Sequence, residues 1–146
     1  AEVSVADAMA GEAECLLHLG STAEAESLAS AAVSAEPDSA LAHLVYARSA
    51  YARGDYQEAL DRAYRALALW PELPGALSLV GDCLAVGDSP LRAARAYRYA
   101  AWAEPNPDRA RTLVERAMTL EKSAAASETT PPGGASSAPG RLGATH

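Results

Sequence analysis

The residues that could do chemistry are few and scattered. Three histidines, His18, His43 and His146, stand far apart, and none pairs with a serine or cysteine and an acid at a spacing that would make a nucleophile and its base. Cys15 and Cys83 form neither a CxxC pair nor a cluster with histidine, and no HExxH occurs, so no metal or other cofactor is expected. No glycine-rich phosphate loop follows a strand, because no stretch reads as a strand. The chain is therefore expected not to be an enzyme, and the chemistry left to it is recognition. Arg92, Arg95 and Arg98 recur at a spacing of three with Tyr97, Tyr99 and Trp102 among them, a combination that can hold phosphates and stack bases. The same spacing describes a solvated helix face whose arginines are balanced by nearby acids. The solvated face is the reading taken, so nucleic acid is not the expected partner.

What positions these residues is a pattern that recurs. The stretch 40–73, ALAHLVYARSAYARGDYQEALDRAYRALALWPEL, has one copy before it and one after it at a shift of 34 residues. Small residues occupy three columns: Ala13, Ala47 and Gly81; Ala25, Ala59 and Ala93; Ala32, Ala66 and Ala100. Proline closes each unit at Pro37, Pro71 and Pro105. Gly20 and Gly54 share a column that holds Asp88 in the third unit, with Gly87 one place earlier. A fixed period of ~34 residues, built from two helical segments and a turn, is the mark of a repeat array.

These columns resemble the tetratricopeptide repeat, with its small residue midway along the first helix, two alanines in the second and a terminal proline. The resemblance covers residues 6 to 107. It implies an all-α fold, a right-handed α-α superhelix of three helix-turn-helix repeats (6–39, 40–73, 74–107) and a capping helix (108–123), together the domain 6–123. Residues 1–5 would be a lead-in. Departures lie at the large columns: Met9, His43 and Leu77 stand where the family prefers Trp, and its second-helix aromatic, kept at Tyr97, is Ala29 and Ala63 elsewhere.

Local signals agree independently. Ser4 with Asp7, Ser21 with Glu24, and Asp55 with Glu58 read as N-caps facing a first-turn carboxylate. Pro90, Pro74 and Pro107 suit first helical turns, where no amide is needed. Helices are predicted at 4–18, 22–35, 39–53, 56–70, 74–86, 90–103 and 107–123. On the last, Ala110, Leu113, Val114, Ala117 and Leu120 form one apolar stripe against a polar remainder, as an end cap requires. The front end has no cap, leaving Val3, Val5 and Met9 exposed and open to self-association or to docking on an enzyme or membrane component. Cys15 and Cys83 lie 68 residues apart, two periods, and so are read as separate, buried apolar residues. From Ser123 onward Ser, Ala, Thr, Gly and Pro dominate; 124–146 is expected to be a disordered tail, having too little apolar area to offset ~1–2 kcal/mol of ordering entropy per residue. No apolar run is long enough to span a bilayer and no leader is visible, so a soluble, cytoplasmic protein without membrane insertion is expected. Eleven Arg against one Lys, with abundant alanine, associate with GC-rich bacterial coding.

Acidity is concentrated at one end: residues 6–39 hold seven acids and no Lys or Arg, whereas the second and third units are each balanced. That end could attract basic segments, or simply keep the chain in solution. The resemblance implies that first helices line a concave groove, making this a non-catalytic adaptor or scaffold. The inward positions carried over are Asp7, Ala10, Glu14, Leu17 and His18; Leu41, Leu44, Arg48, Tyr51 and Ala52; Gly75, Ser78, Asp82, Ala85 and Val86; then Thr112, Arg116 and Thr119 on the cap. Such a groove has an apolar middle (Leu17, Leu41, Leu44, Tyr51, Val86) flanked by Glu14, Arg48, Asp82 and Arg116. Leu41 and Leu44 can equally pack between helices. The places of the Lys/Asn/Arg clamp with which some family members hold chaperone C-terminal tails carry Ala10, Glu14, Val45, Arg48, Gly75 and Leu79. Those tails are therefore not expected; a protein or peptide with an apolar anchor, carrying basic residues for the acidic end, is.

Overall fold

A computed structural model describes residues 4–87 and 89–129. It consists of seven helices: α1 (Val5–His18), α2 (Thr22–Ala35), α3 (Ala40–Arg53), α4 (Tyr56–Leu69), α5 (Ala76–Val86), α6 (Pro90–Ala103) and α7 (Pro107–Thr129). Among the described residues there is no strand. Each helix packs on its chain neighbours, and α3 also touches α1 and α5, so the helices stack as an all-α solenoid in which α1, α3 and α5 share one side.

Alanine builds the seams. Ala13 with Ala25 and Ala29, and Ala47 with Ala59, Ala63 and Ala66, are completely buried within the first two units. A methyl group at these places lets helix axes approach to ~8–10 Å. The third unit makes the same contact with a different pair. Gly81 occupies the column of Ala13 and Ala47, and Tyr97 that of Ala29 and Ala63; a Cβ at Gly81 would stand 2.7 Å from the Tyr97 ring. Tyr97 is itself buried and packs with Ala94, Ala117, Leu113 and Leu120, seating α7 on α6.

Termini follow the repeat closely. Gly20 and Gly54 both adopt left-handed φ, at 83° and 89°, a region that favours glycine, and end α1 and α3 through matching bonds. Ser21 N donates to Leu16 O and Asp55 N to Ala50 O, both at 2.9 Å. Ser4, Ser39 and Asp55 accept cap bonds from the amides of Asp7, Ala42 and Glu58. Ser21 and Ser89 do not cap: their ψ of 62° and 61° leaves the short hydroxyl out of reach, whereas the longer Asp55 carboxylate manages at 81°.

Three expectations need correction. Helix α5 begins at Ala76 rather than 74, because Leu73-Pro74-Gly75-Ala76 is a type II turn, with Gly75 at φ 86° and Ala76 N donating to Leu73 O. Pro74 thus fills a turn position, while Pro90 and Pro107 do start their helices. Helix α7 runs to Thr129, six residues past the predicted end, since Ser123 to Glu128 contains no helix breaker, is rich in alanine and buries Ala124. The remainder of the expected tail, 130–146, lies outside the described residues, as do Val3 and the rest of 1–3. Cys15 is exposed, not buried. Cys83 is buried, and desolvation together with the Asp82 carboxylate pushes its thiol up to about 11, so it stays protonated and unreactive.

His43, in the column where the family prefers Trp, is buried and donates from Nε2 to the Pro37 carbonyl at 2.8 Å; its Nδ1 is buried without a partner. Burial lowers its pKa, the Pro37 bond opposes this, and Arg62 and Arg65 lower it further. Because the folded value lies below the unfolded one of ~6.5, stability is complete above that pH and declines as pH falls through ~6.5 toward the folded value. Denaturation midpoints of wild type should therefore drop on going from neutral to mildly acidic buffer, and His43→Leu should remove that component; parallel pH profiles would contradict it.

Candidate functional site

The side shared by α1, α3 and α5, continued by α7, carries alternating charges that bridge one unit to the next. Arg48 of α3 places Nη1 3.0 Å from Glu14 Oε2 of α1, an ion pair outside hydrogen-bond geometry. Its Nη2 lies over Gly75, where a Cβ would stand only 2.4 Å away. One guanidinium therefore touches all three units, and the type II turn supplies the glycine that leaves room for it. Farther along, Asp82 of α5 accepts from the Tyr97 hydroxyl and sits 3.7 Å from Arg116 Nη1 of α7, whose guanidinium lies 5.9 Å from the Tyr97 ring centroid. Burial and the Asp82 carboxylate hold the Tyr97 phenol well above its ordinary range, and both also raise Tyr51.

Between these bridges opens a pocket of about 430 Å3 at the junction of α3, α5 and α7. Arg48, Ser78, Arg109, Thr112 and Arg116 contribute polar groups to its wall, with Glu104 beside Arg109 at 3.0 Å. The Ser78 hydroxyl is turned to the Gly75 carbonyl at 3.0 Å. Its donors outnumber its acceptors, and each arginine keeps an acidic neighbour, so the wall can exchange an internal carboxylate for one brought by a ligand.

The expected lining divides accordingly. Glu14, Arg48, Tyr51, Ser78, Asp82 and Arg116 are partly or fully accessible and clustered along this side. Leu44 is not: at 2% exposure it belongs to the core with Ala47, Leu79 and Leu84, because the helix turns that position toward α5. Leu41 and Leu17 are half-buried against core clusters, and Tyr51 packs edge-on to Tyr56 at 5.2 Å. His18 and Val86 are exposed at the last turns of α1 and α5. The apolar middle of the groove is thus much smaller than the sequence suggests, since helix packing claims its leucines.

Sequence reasoning missed Arg109 and Glu104 as lining residues. Arg109 precedes Arg116 by seven, on the same face of α7, which is a readable signal; Glu104 lies in a turn and gives none. Tyr97, grouped with the outer arginines by spacing, faces inward to α5 and α7 instead. Among the described residues no group of three or more His, Cys, Asp or Glu could hold a metal ion, and no helix is long and apolar enough to cross a membrane.

No family model and no curated protein matches the chain. Solved structures do. The first TPR of Spaghetti (RPAP3), bound to the HSP90 peptide SRMEEVD, superposes with a TM-score of 0.72 at 18% identity, over 82% of this chain and 93% of that one. The type III secretion translocator chaperone SycD of Yersinia enterocolitica gives 0.72 at 17% identity, over 88% and 90%. The same chaperone in complex with a peptide of the translocator YopD gives 0.68 at 13% identity, over 82% and 97%. At such identities the likeness establishes a shared fold.

Proposed function

We propose, taking the tetratricopeptide fold of this chain as the premise, that it is a non-catalytic interaction module which holds a segment of a partner protein along the side formed by α1, α3, α5 and α7. The observation that carries this reading is the open pocket at Arg48, Ser78, Arg109 and Arg116, where three arginines stand together, each beside one acidic neighbour, Glu14, Glu104 or Asp82. Support also comes from the peptides held by the solved neighbours, RPAP3 and SycD. The segment that fits has a small apolar anchor for Tyr51 and Val86 and charges of both signs, to meet Glu14 and Asp82 as well as the arginines. A purely acidic chaperone tail would oppose those two carboxylates and is not the proposed ligand.

Peptides selected from a random displayed library on the wild-type protein test this. Arg48→Glu combined with Arg116→Glu should weaken them at least about tenfold, the loss expected for charged hydrogen bonds. Binding that survives the pair, in a variant whose helicity is intact, places recognition elsewhere.

A further inference from the structure

A second surface, away from that pocket, is left unpartnered on α6. Leu91, Arg92, Arg95, Arg98, Tyr99 and Trp102 share one face of this helix, with Tyr99 58% and Trp102 85% exposed. Arg98 is tied to Glu121 by two bonds, of 2.9 and 2.6 Å. Arg92 and Arg95 have no ion-pair partner among the described residues. An indole this open, beside an open hollow of about 500 Å3 formed with Arg95, Arg98 and Tyr99, is a knob without a hole.

The complementary surface lies at the other end of the same chain. Helices α1 and α2 form the first described unit, and between them runs an open hollow of about 570 Å3 lined by Leu16, Ala23, Glu24, Ser27, Leu28 and Ala31. It is apolar but for Glu24 and Ser27. Since Ser21 forms no cap bond, Glu24 is not drawn into a capping box, and it has no ion-pair partner among the described residues. Glu12 is exposed one turn before Leu16 on α1, and no Lys or Arg occurs anywhere in residues 6–39.

We propose that the chain associates head to tail with a second copy of itself, Trp102 and Tyr99 of α6 entering the Leu16–Leu28 hollow of the next copy while Arg92 and Arg95 meet Glu24 and Glu12. Charge decides the arrangement. A symmetric contact of α6 on α6 sets arginines against arginines, and one of the α1–α2 end on itself sets carboxylates against carboxylates, whereas the mixed contact pairs opposite signs around an apolar centre. Such a contact is heterologous and adds copies in one direction. It uses neither Arg48 nor Arg116 and stands apart from the peptide-binding reading.

Sedimentation velocity over a concentration series, at low and high salt, tests it. Wild type should assemble with concentration and weaken with salt; Trp102→Ala and Glu24→Arg should each weaken assembly at least about tenfold, as loss of a buried aromatic anchor or of its charged partner does. The decisive arm mixes two variants. Trp102→Ala keeps the hollow and Glu24→Arg keeps the knob, so the mixture should recover a single heterodimer that grows no further. Because both positions are exposed, neither variant threatens the fold. A monomeric wild type at every concentration overturns the proposal, as does a mixture in which the two variants remain separate. A monomer whose Trp102 fluorescence is quenched by single-stranded oligonucleotide in a salt-dependent way overturns it too, and makes α6 a nucleic-acid platform.

Discussion

Gly81→Ala should cost about 1–3 kcal/mol of stability, although the same substitution would be expected to favour helix α5 on propensity alone. The new methyl would stand 2.7 to 3.0 Å from three atoms of the Tyr97 ring, which is buried on its far side by Ala94 and Ala117 and has nowhere to retreat. Tyr97→Ala should cost more, about 3–5 kcal/mol, because the ring also seats α7 and its hydroxyl satisfies Asp82. The informative measurement is the double variant. It gives the third unit the Ala/Ala pair that the first two already use at Ala13 and Ala29 and at Ala47 and Ala63. Its loss in chemical denaturation should fall clearly short of the sum of the single losses, since the methyl that clashes with tyrosine fits beside alanine. Strict additivity would mean that the ring and the glycine do not compensate one another.

Leu44→Ala should lower stability by about 2–5 kcal/mol, through the cavity left among Ala47, Leu79 and Leu84. This is an effect on folding and not on recognition. With Leu44 2% exposed, a ligand on the pocket side has nothing of it to touch. Peptides selected on the wild type should therefore bind Leu44→Ala with unchanged affinity under conditions where it remains folded. Arg48→Glu should show the reverse, losing ligand at little cost to the denaturation midpoint, because the Glu14 ion pair it breaks is about one-third accessible and such pairs contribute only ~0–1 kcal/mol. A Leu44→Ala protein that stays folded but cannot bind would return this residue to the binding surface.

The contrast between these two residues shows what could be read from the sequence. A 34-residue register fixes where helices start and stop, because cap and turn chemistry is local: Gly20 and Gly54 need left-handed φ wherever they occur, and the chain around them states as much. The seven helices of the described residues, their order and most of their ends follow. Which side of a helix a residue occupies is also legible at low resolution, and it places Glu14, Arg48, Asp82 and Arg116 on one wall. It fails for Leu44, one turn before Arg48, because a small angular difference decides between core and surface when neighbouring helices cross. It fails again for the Ser123–Glu128 segment, where composition resembles a linker but alanine propensity extends a helix that already has a seat at Ala124. Neither Glu104 nor the resting place of the Arg48 guanidinium on Gly75 could be foreseen, since both depend on how two units are rotated against each other.

Tyr97 also gives the molecule a fixed reading direction. Because α7 is seated on the Tyr97 ring, in a column that holds Ala29 and Ala63 in the two earlier units, modules one and two are not substitutes for module three. A shuffled version ending in a copy of residues 40–73 would present Ala63 where the terminal helix needs a ring, and Ala47 where that ring would need glycine. Lengthening the array should therefore be tolerated by duplicating the middle module, whereas moving the third forward would strand its successor on a surface shaped for a different neighbour.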